Sequence, residues 1–436
     1  MSKHNYSICF AAIILSTLWG CRPNDSESAK SHRTIEAIIS IEDNIKNFKP
    51  LALSQLNANV EYIALETTQE NSLGTIHCFD MDDKNIVLGD RIRVMNFARN
   101  GVYIGLIGKV GRGPGEYLSP NSCKIFGDGV YLSCFSINKI IAYDREGLYK
   151  FAVPMPFYIG STIRQNTFLP LAGNRFLVHV PNYSGDEPYT LVEINNQGII
   201  TRGIANSSKY AMHSKGGRGS LLTDCHIYRF GENIRYRHRL YDTLWQVHND
   251  TLLPKYVLDR GKHGEPTHLL GYRIDSPELK SIINTNKILY VWNVMETLDY
   301  LIIRTRFQKN YPFTFRRSGV TTPVGMFEPK HEILGVYNKA TTEFFFVAPS
   351  GVDHQLEPLG IENDIDGGIN FAPMYSPNER TLVSWFNAYD LKAHVASEAF
   401  RSSTPKYPER KRELEALANR LKDDDNPVLM VVTFKE

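Results

Sequence analysis

The segment Ile140-Ile-Ala-Tyr-Asp-Arg-Glu-Gly-Leu-Tyr-Lys-Phe151 contains an alternating apolar strand, a polar turn and a second apolar strand. Alternation with a period of two is typical of β-strands that bury one face. Equivalent units begin at Val94, Leu191, Leu244 and Leu334. The first four units follow one another at intervals of roughly 50 residues, as in blade-repeat proteins. The repeat therefore predicts an all-β fold built from similar small sheets.

The interval before the last unit is much longer than the others, and it contains Ile288–Trp292 and Leu298–Phe307. We interpret these two runs as a degenerate copy of the repeat. With a terminal unit added to the visible ones, the sequence predicts a six-bladed β-propeller of four-stranded antiparallel blades. In such a ring, radial stacking buries faces that a single sheet would leave exposed.

Closing the ring requires strands from both ends of the chain to share a blade. We predict that Val60–Glu66 and Asn426–Phe434 are these strands. Before the second of them, apolar residues recur at helical spacing, namely Leu414, Leu417, Ala418 and Leu421. This spacing predicts one short C-terminal surface helix before the ring-closing strand.

Residues 1–20 have the features of a secretory signal peptide, because Lys3 precedes an apolar run that is shorter than the roughly 20 residues needed to cross a bilayer. Leu18-Trp-Gly-Cys21 then resembles a bacterial lipobox and predicts lipidation of Cys21, although Trp19 is unusual in that motif. An ordinary cleaved signal with a chance cysteine is the alternative. We expect residues 21–45 to form a flexible tether and residues 46–436 to form the propeller.

The charges nearly cancel, with 49 Lys and Arg against 47 Asp and Glu and a formal net charge of +2. A nucleic-acid partner would favour a concentrated basic surface, so none is expected. Charged and apolar residues alternate in Arg235-Tyr-Arg-His-Arg239, which predicts the solvent-facing side of a strand. We expect a monomer that carries no cofactor.

Two cysteines, Cys123 and Cys134, flank a hairpin signal at Asp128-Gly129. A two-residue turn at that position would place the two side chains opposite each other on paired strands. A cross-strand disulfide could then form in an oxidising compartment. Two buried free thiols are the favoured state, and the disulfide is the alternative.

The run Gly108-Lys-Val-Gly-Arg-Gly-Pro-Gly-Glu-Tyr-Leu-Ser-Pro120 is dense in glycine and proline. A phosphate-binding loop would end in Gly-Lys-Ser/Thr and open a helix, and this run does neither. We predict a tight connection between blades, in which Glu116 either pairs with Arg112 or accepts hydrogen bonds from the glycine-rich backbone. Because rigid scaffolds often carry function on loops, Arg112, Glu116 and Tyr117 are candidate ligand-binding residues.

Metal chemistry has little support in the sequence. Glu362-Asn-Asp-Ile-Asp-Gly367 is similar to the start of an EF-hand loop, but Pro373 stands where the closing Glu would be. Two interpretations remain. The segment is either a plain turn or a calcium site without EF-hand geometry that uses Asp364 and Asp366. The 13 histidines show no His-Glu-x-x-His spacing, and no catalytic residue can be assigned.

Four segments together resemble a known family: Gly111-Arg-Gly-Pro-Gly-Glu-Tyr117, Asp242-Thr-Leu-Trp-Gln-Val247, Pro254-Lys-Tyr-Val-Leu-Asp259 and Asp425-Asn-Pro-Val-Leu429. They resemble six-bladed β-propeller lipoproteins of Gram-negative bacteria, related in fold to NHL-repeat and TolB-like propellers. The resemblance implies a lipid-anchored protein of the outer membrane that faces the periplasm or the cell exterior.

For function, we expect non-catalytic binding of a glycan, a peptide or a protein partner on the loop face or in the central funnel. The alternative is a metal-assisted enzyme of the lyase or lactonase type. An enzyme predicts histidines and carboxylates that converge on one point. A binding protein predicts a surface lined by aromatic and amide side chains.

Overall fold

Six β-sheets form the blades of a propeller in this computed structural model. The structure describes residues 35–156, 167–213, 225–264, 271, 277, 288–307, 333–348 and 360–435. The predicted signal peptide, the lipidation site Cys21 and the first part of the predicted tether lie outside these residues. The predicted all-β, six-bladed architecture is confirmed.

The N-terminal segment carries three strands, and each joins a different blade. They are β1 (Ala37–Ser40), β2 (Phe48–Lys49) and β3 (Ala58–Ala64), with a short 3-10 turn at Leu53–Leu56 before β3.

Blades 1 to 3 each use four consecutive antiparallel strands. Blade 1 contains β4 (Cys78–Met81), β5 (Asn85–Gly89), β6 (Val94–Ala98) and β7 (Tyr103–Leu106). Two short strands in the glycine-rich connection follow, β8 (Lys109–Val110) and β9 (Glu116–Tyr117). Blade 2 contains β10 (Ser122–Phe126), β11 (Gly129–Cys134), β12 (Lys139–Asp144) and β13 (Tyr149–Pro154). Blade 3 contains β14 (Phe168–Leu171), β15 (Arg175–His179), β16 (Tyr189–Ile194) and β17 (Ile200–Ala205).

Blades 4 to 6 are completed by strands from the N-terminal segment. Blade 4 contains β18 (Cys225–Phe230), β19 (Asn233–His238), β20 (Thr243–His248) and β21 (Thr251–Asp259), with β1 added beside β21. Blade 5 contains β22 (Leu289–Glu296), β23 (Tyr300–Phe307), β24 (Ile333–Asn338) and β25 (Glu343–Val347), with β2 added beside β25. Blade 6 contains β26 (Tyr375–Asn378), β27 (Thr381–Phe386) and β28 (Val428–Phe434), with β3 as its fourth strand.

The ring closes as predicted. Strand β28 pairs antiparallel with β3, and Val432 lies opposite Val60. Packing between neighbouring blades forms a series of apolar clusters, as expected for sheets that stack radially. The first strands of successive blades contact one another and form the inner ring.

The outer strands β1 and β2 were not expected. Each runs parallel to the last strand of its blade, with Ile38 opposite Val257 in blade 4 and Phe48 opposite Phe346 in blade 5. The side chain of Ile39 is buried between the sheets. The folded unit therefore begins near Ile35, and the predicted boundary between tether and propeller at residue 46 lies too far along the chain.

The supposed degenerate copy has a different role. Ile288–Phe307 contains β22 and β23, which are the first two strands of the same blade that contains β24 and β25. The sixth blade is the terminal one predicted from the two chain ends. The count of six was correct, but this segment is half of a blade and not a separate unit.

The predicted C-terminal helix is present as part of a group of three. Helices α1 (Ala388–Ala396) and α2 (Glu398–Ser402) precede α3 (Pro408–Arg420), which corresponds to the predicted helix. In α3, Leu414 and Ala418 are buried against the blade. The sequence reading missed the two shorter helices.

The cross-strand disulfide, which was the alternative to free thiols, does not match the register of its hairpin. The two turn residues are Gly127 and Asp128, one position earlier than predicted, so Cys123 lies opposite Leu132. Both Cys123 and Cys134 are buried free thiols. Gly127 has a φ of 56°, and this conformation favours glycine at the first turn position.

The cluster Arg235–Arg239 is not solvent-facing as predicted. Arg235 and Arg237 are 3% and 1% exposed, because they lie between blades 4 and 5. The carboxylate of Glu296 accepts hydrogen bonds from Arg235, and the carbonyl of Val291 accepts one from Arg237. Alternation indicated a strand correctly, but both faces of a propeller strand are covered.

Candidate functional site

The glycine-rich connection between blades 1 and 2 is held together by its own backbone. Strands β8 and β9 pair in parallel. The Gly113 N–H group donates to Oε2 of Glu116 over 2.8 Å, and the Glu116 N–H group donates to the Gly113 carbonyl over 3.0 Å. A Cβ atom at Gly111 would stand 1.9 Å from the Glu116 carboxylate, so the carboxylate requires glycine there. Of the two predicted roles for Glu116, the structure shows acceptance from the backbone.

Tyr117 is part of the core and does not face a ligand. Its side chain is fully buried, and its hydroxyl accepts a hydrogen bond from the Val94 N–H group over 2.9 Å. Burial raises the pKa of Tyr117 well above its usual value. The prediction of Tyr117 as a ligand-binding residue is therefore wrong. Arg112 is exposed at the surface of the loop, and its role in binding, like that of Glu116, stays a prediction.

The two carboxylates proposed for calcium are engaged in the chain's own hydrogen bonds. Asp364 accepts hydrogen bonds from the backbone and the hydroxyl of Ser54. Asp366 accepts from the Tyr62 hydroxyl over 3.0 Å and from the Gly368 N–H group over 2.9 Å. Burial raises the pKa of Asp366, while the Gly368 N–H bond lowers it. The calcium site stays a prediction.

A cavity of about 210 Å³ lies between blades 3 and 4. We call it the blade 3–4 pocket. Its lining combines aromatic rings, hydroxyl groups, amides and two histidines, and one residue of the lining carries a carboxylate. The lining residues are His179, Val180, Asn182, Tyr189, Thr190, Asn206, Ser207, Ser208, Tyr210, Tyr236, His238, Leu240, Tyr241, Asp242, Thr243, Trp245 and Leu252.

Two histidines occupy matching positions in adjacent blades. His179 ends β15 and His238 ends β19, the second strands of blades 3 and 4. Their ring centroids are 5.7 Å apart, and the ring of Tyr241 lies 5.2 Å from that of His238. The repeat of the fold thus brings two residues that are far apart in sequence to one wall of the pocket.

The hydrogen bonds of His179 define its tautomer. Its Nδ1 atom lies 3.2 Å from the Thr190 carbonyl oxygen and 3.3 Å from the Tyr236 hydroxyl. Because a carbonyl oxygen only accepts, Nδ1 carries the proton, and Nε2 is left as an acceptor. Nε2 is buried and has no hydrogen-bond partner in the described part of the chain. Nε2 also has almost no accessible surface, so other atoms of His179 line the cavity.

Both histidines are neutral at physiological pH. Burial lowers the pKa of His179 to about 4, partly offset by the bond to the Thr190 carbonyl. Burial also lowers the pKa of His238 well below its usual value, and the neighbouring His179 adds to the effect. The Leu240 N–H group donates to Nδ1 of His238 over 3.3 Å, so the proton of neutral His238 resides on Nε2.

The carboxylate of the pocket is already paired. Asp242 accepts a hydrogen bond from Nε of Arg260, whose side chain is almost fully buried. The same guanidinium donates to the carbonyls of Leu289 and Leu240. The charge of Asp242 is thus compensated within the protein, and the described residues of the lining have no net charge to attract an ion.

The opposite wall is fixed by a loop that follows blade 3. The Asn182 amide donates to the Ser208 carbonyl over 3.1 Å, and the Asn206 amide donates to the Glu187 carbonyl over 3.0 Å. The hydroxyl of Tyr210 donates to the Asn182 carbonyl. The two amides therefore hold the wall in place. The polar groups left to contact a ligand are mostly the hydroxyl groups and imidazoles of the pocket.

The sequence reading missed this site. His238 was assigned to a solvent-facing strand, and His179 was not singled out among the 13 histidines. An alignment of the second strands of the six blades would have revealed the two histidines. At the end of that strand the other blades carry Gly89, Cys134, Phe307 and Phe386, whereas blades 3 and 4 carry histidine.

The inner ring holds a separate buried carboxylate. Asp80 accepts from the Tyr375 hydroxyl over 2.7 Å and from the Ile125 N–H group over 2.7 Å. Burial raises the pKa of Asp80, and the nearby Lys124 ammonium opposes this shift. Within the described ranges, no group of three or more His, Cys, Asp and Glu side chains is arranged to hold a metal ion.

Fold and pocket together define a six-bladed β-propeller with a polar, aromatic cavity between two blades. The chain belongs to the family described as "Domain of unknown function (DUF4934)", whose model matches residues 36–433. None of the curated proteins matches the chain. The propeller implied by the sequence resemblance is confirmed, whereas the lipoprotein assignment and the relation to NHL-repeat and TolB-like proteins stay predictions.

Solved structures support the fold. The "Putative exported protein" of Bacteroides fragilis NCTC 9343 is 15% identical, with a TM-score of 0.63 over 92% of this chain and 100% of that chain. A member of the DUF4221 family from Bacteroides vulgatus is 12% identical, with a TM-score of 0.45 over 67% of this chain and 86% of that chain, too low to carry an argument. Among the helices that the structure describes, none has the length and apolar character of a membrane span.

Proposed function

We propose that this protein is a non-catalytic binding propeller of the cell envelope, and that its ligand occupies the blade 3–4 pocket. The observation that carries the proposal is the cavity itself, which lies between two blades and is lined by aromatic rings, hydroxyl groups and amides. Small-molecule sites are typically concave and apolar, with a few polar groups that fix the ligand. The metal-assisted lyase or lactonase alternative stays a prediction.

An envelope location is supported by two observations. The first 20 residues have the composition of a secretory signal. The Bacteroides fragilis protein of similar fold is named as exported. We further propose that lipid on Cys21 anchors the mature chain to the outer membrane, facing the periplasm or the cell exterior.

Replacing Cys21 with serine is expected to release the protein from the membrane fraction. The reason is that the lipid would be attached to the thiol of Cys21, and we propose no other anchor that would hold the chain in the membrane. The measurement is metabolic labelling with a fatty acid, together with fractionation of membrane and soluble material. Cys225→Ser serves as the control, because Cys225 is buried in blade 4. Continued labelling of the Cys21→Ser chain would refute lipidation at this site.

The pocket itself is tested by isothermal titration calorimetry with three sets of probes: methyl glycosides, dipeptides and choline. We expect one set to bind, and we expect Tyr241→Ala to weaken that binding by about tenfold, the equivalent of one aromatic contact. Tyr149→Ala is the matched control, because this tyrosine is 45% exposed on the last strand of blade 2. Unchanged binding in Tyr241→Ala, or binding of no probe, would contradict the assignment.

A further inference from the structure

We propose that the ligand of the blade 3–4 pocket is a neutral sugar ring, either free or at the end of a glycan chain. This inference rests on the proposed function of the pocket and adds the chemical class of the ligand. It follows from the charge, the hydrogen-bonding groups, the ring surfaces and the size of the cavity.

The charge balance of the pocket favours an uncharged ligand. The described residues that line the cavity include no Lys or Arg, so among them an anionic ligand would find none of the cationic groups that usually bind carboxylate or phosphate. A cationic ligand could stack on aromatic faces. The carboxylate of Asp242, however, is already paired with Arg260, and both histidines are neutral. Neither kind of ion is matched by the lining.

The polar groups of the pocket suit hydroxyl groups. Neutral His238 has its proton on Nε2 and can donate. The hydroxyls of Thr243 and Ser207 can both donate and accept. A sugar hydroxyl also donates and accepts, so neighbouring hydroxyls of one ring can satisfy such a mixture. A backbone amide offers its donor and its acceptor on opposite sides and fits the mixture less well.

The ring surfaces and the volume favour a compact, amphipathic ligand. Trp245, Tyr189 and Tyr241 provide aromatic surface, and the ring of Tyr189 packs against Gly203, where a Cβ atom would stand 2.4 Å from the ring. The cavity of about 210 Å³ is smaller than the roughly 300–1,000 Å³ typical of drug-sized ligands. A single sugar ring fits a cavity of this size and has apolar C–H faces and polar edges. An extended peptide would need a longer groove.

The test compares methyl glycosides of glucose, galactose, mannose and N-acetylglucosamine with glucuronic and galacturonic acid, Ala-Ala and choline by calorimetry on the mature chain. We expect at least one neutral glycoside to bind, and the matching uronic acid to bind at least about tenfold more weakly. His238→Phe keeps a ring in place and removes the donor, so we expect about a tenfold loss of affinity for the glycoside.

A second measurement avoids dependence on that variant folding correctly. Deoxy analogues of the bound glycoside each lack one hydroxyl, and at least one should bind the unaltered protein about tenfold more weakly. Equal affinity for every deoxy analogue would overturn the inference.

The outcomes separate the two proposals. If Ala-Ala or choline binds, no glycoside does, and Tyr241→Ala weakens that binding, the pocket is a ligand site but the sugar class is wrong. If a glycoside binds equally well to Tyr241→Ala, or if no probe binds, both the pocket assignment and the sugar class are wrong.

Discussion

Replacing Glu296 with alanine is expected to lower the free energy of unfolding by roughly 3–5 kcal/mol, the usual effect of removing one partner of a buried ion pair. The Glu296 side chain has no exposed surface. Its carboxylate accepts from Arg235 over 2.9 Å and from Lys339 over 3.0 Å, and Tyr228 donates to it over 3.2 Å. Because these groups belong to blades 4 and 5, the network joins two neighbouring sheets.

The large effect comes from what remains after the substitution. Arg235 has a side chain that is only 4% exposed, and it would keep its charge without the carboxylate that compensates it. Its guanidinium also donates to the Gln246 side chain, but a neutral acceptor cannot offset the charge. Glu296→Gln should fall between wild type and Glu296→Ala, because it keeps an acceptor of nearly the same shape.

Guanidinium denaturation followed by circular dichroism measures the difference. The control is Glu343→Ala in the same blade, where the pair with Lys49 is about half exposed on both sides. Exposed pairs contribute about 0–1 kcal/mol. A loss in Glu296→Ala no greater than that in Glu343→Ala would show that the buried network does not stabilise the contact between blades 4 and 5.

Acidification is expected to destabilise the propeller through the histidines of the blade 3–4 pocket. Burial lowers the pKa of His179 from 6.5 to about 4. As pH falls from about 6.5 to about 4, the unfolded chain binds a proton that the folded chain does not, so folding free energy is lost in this range and is fully present above it. At about 1.4 kcal/mol per unit, His179 alone accounts for about 3 kcal/mol. His238 acts in the same direction.

The measurement is the melting temperature between pH 7.5 and pH 4.5. In wild type it should fall with pH more steeply than in His179→Gln, because the variant lacks one group that titrates only when unfolded. Val178→Ala is the control, since it perturbs the same strand of blade 3 without removing a titratable group and should leave the slope unchanged. Parallel pH profiles for wild type and His179→Gln would contradict this explanation.

The parts of the fold that could be predicted are those encoded by local pattern. Each visible repeat corresponds to the third and fourth strands of a blade, as in Ile140–Phe151. In blades 1 to 3 the turn between these strands contains a glycine of positive φ, namely Gly101, Gly147 and Gly198. The two chain ends were matched because each has a strand-like apolar segment outside the visible repeats. The helix at Pro408–Arg420 has a proline at its start and a clear apolar stripe.

Features that depend on partners distant in sequence could not be predicted. The two-residue strand β2 is stabilised by pairing with β25, almost 300 positions along the chain, and it is too short to show a period. The register of the β10–β11 hairpin depended on whether Gly127 or Gly129 occupies the turn. A shift of one residue there changed the partner of Cys123 and removed the predicted disulfide geometry.

The candidate site also has features that local sequence indicates and features that depend on residues distant in sequence. Glycine density correctly indicated a constrained loop, but Tyr117 proved to be a core residue because its neighbours lie in strands that the loop connects. The histidines of the pocket are isolated in sequence and meet only through the stacking of blades 3 and 4. Residues that are brought together by a repeat can be found from sequence only after the repeats are aligned strand by strand.

The placement of β1, β2 and β3 on the last three blades affects how the chain can be made. These strands leave the ribosome first, but their partners β21, β25 and β28 are synthesised much later. Unpaired strand edges are templates for pairing with other chains, and contacts of such long range form slowly. We therefore expect a chain cut short before Val428 to aggregate instead of forming a smaller ring, because its first strands would never meet all of their partners.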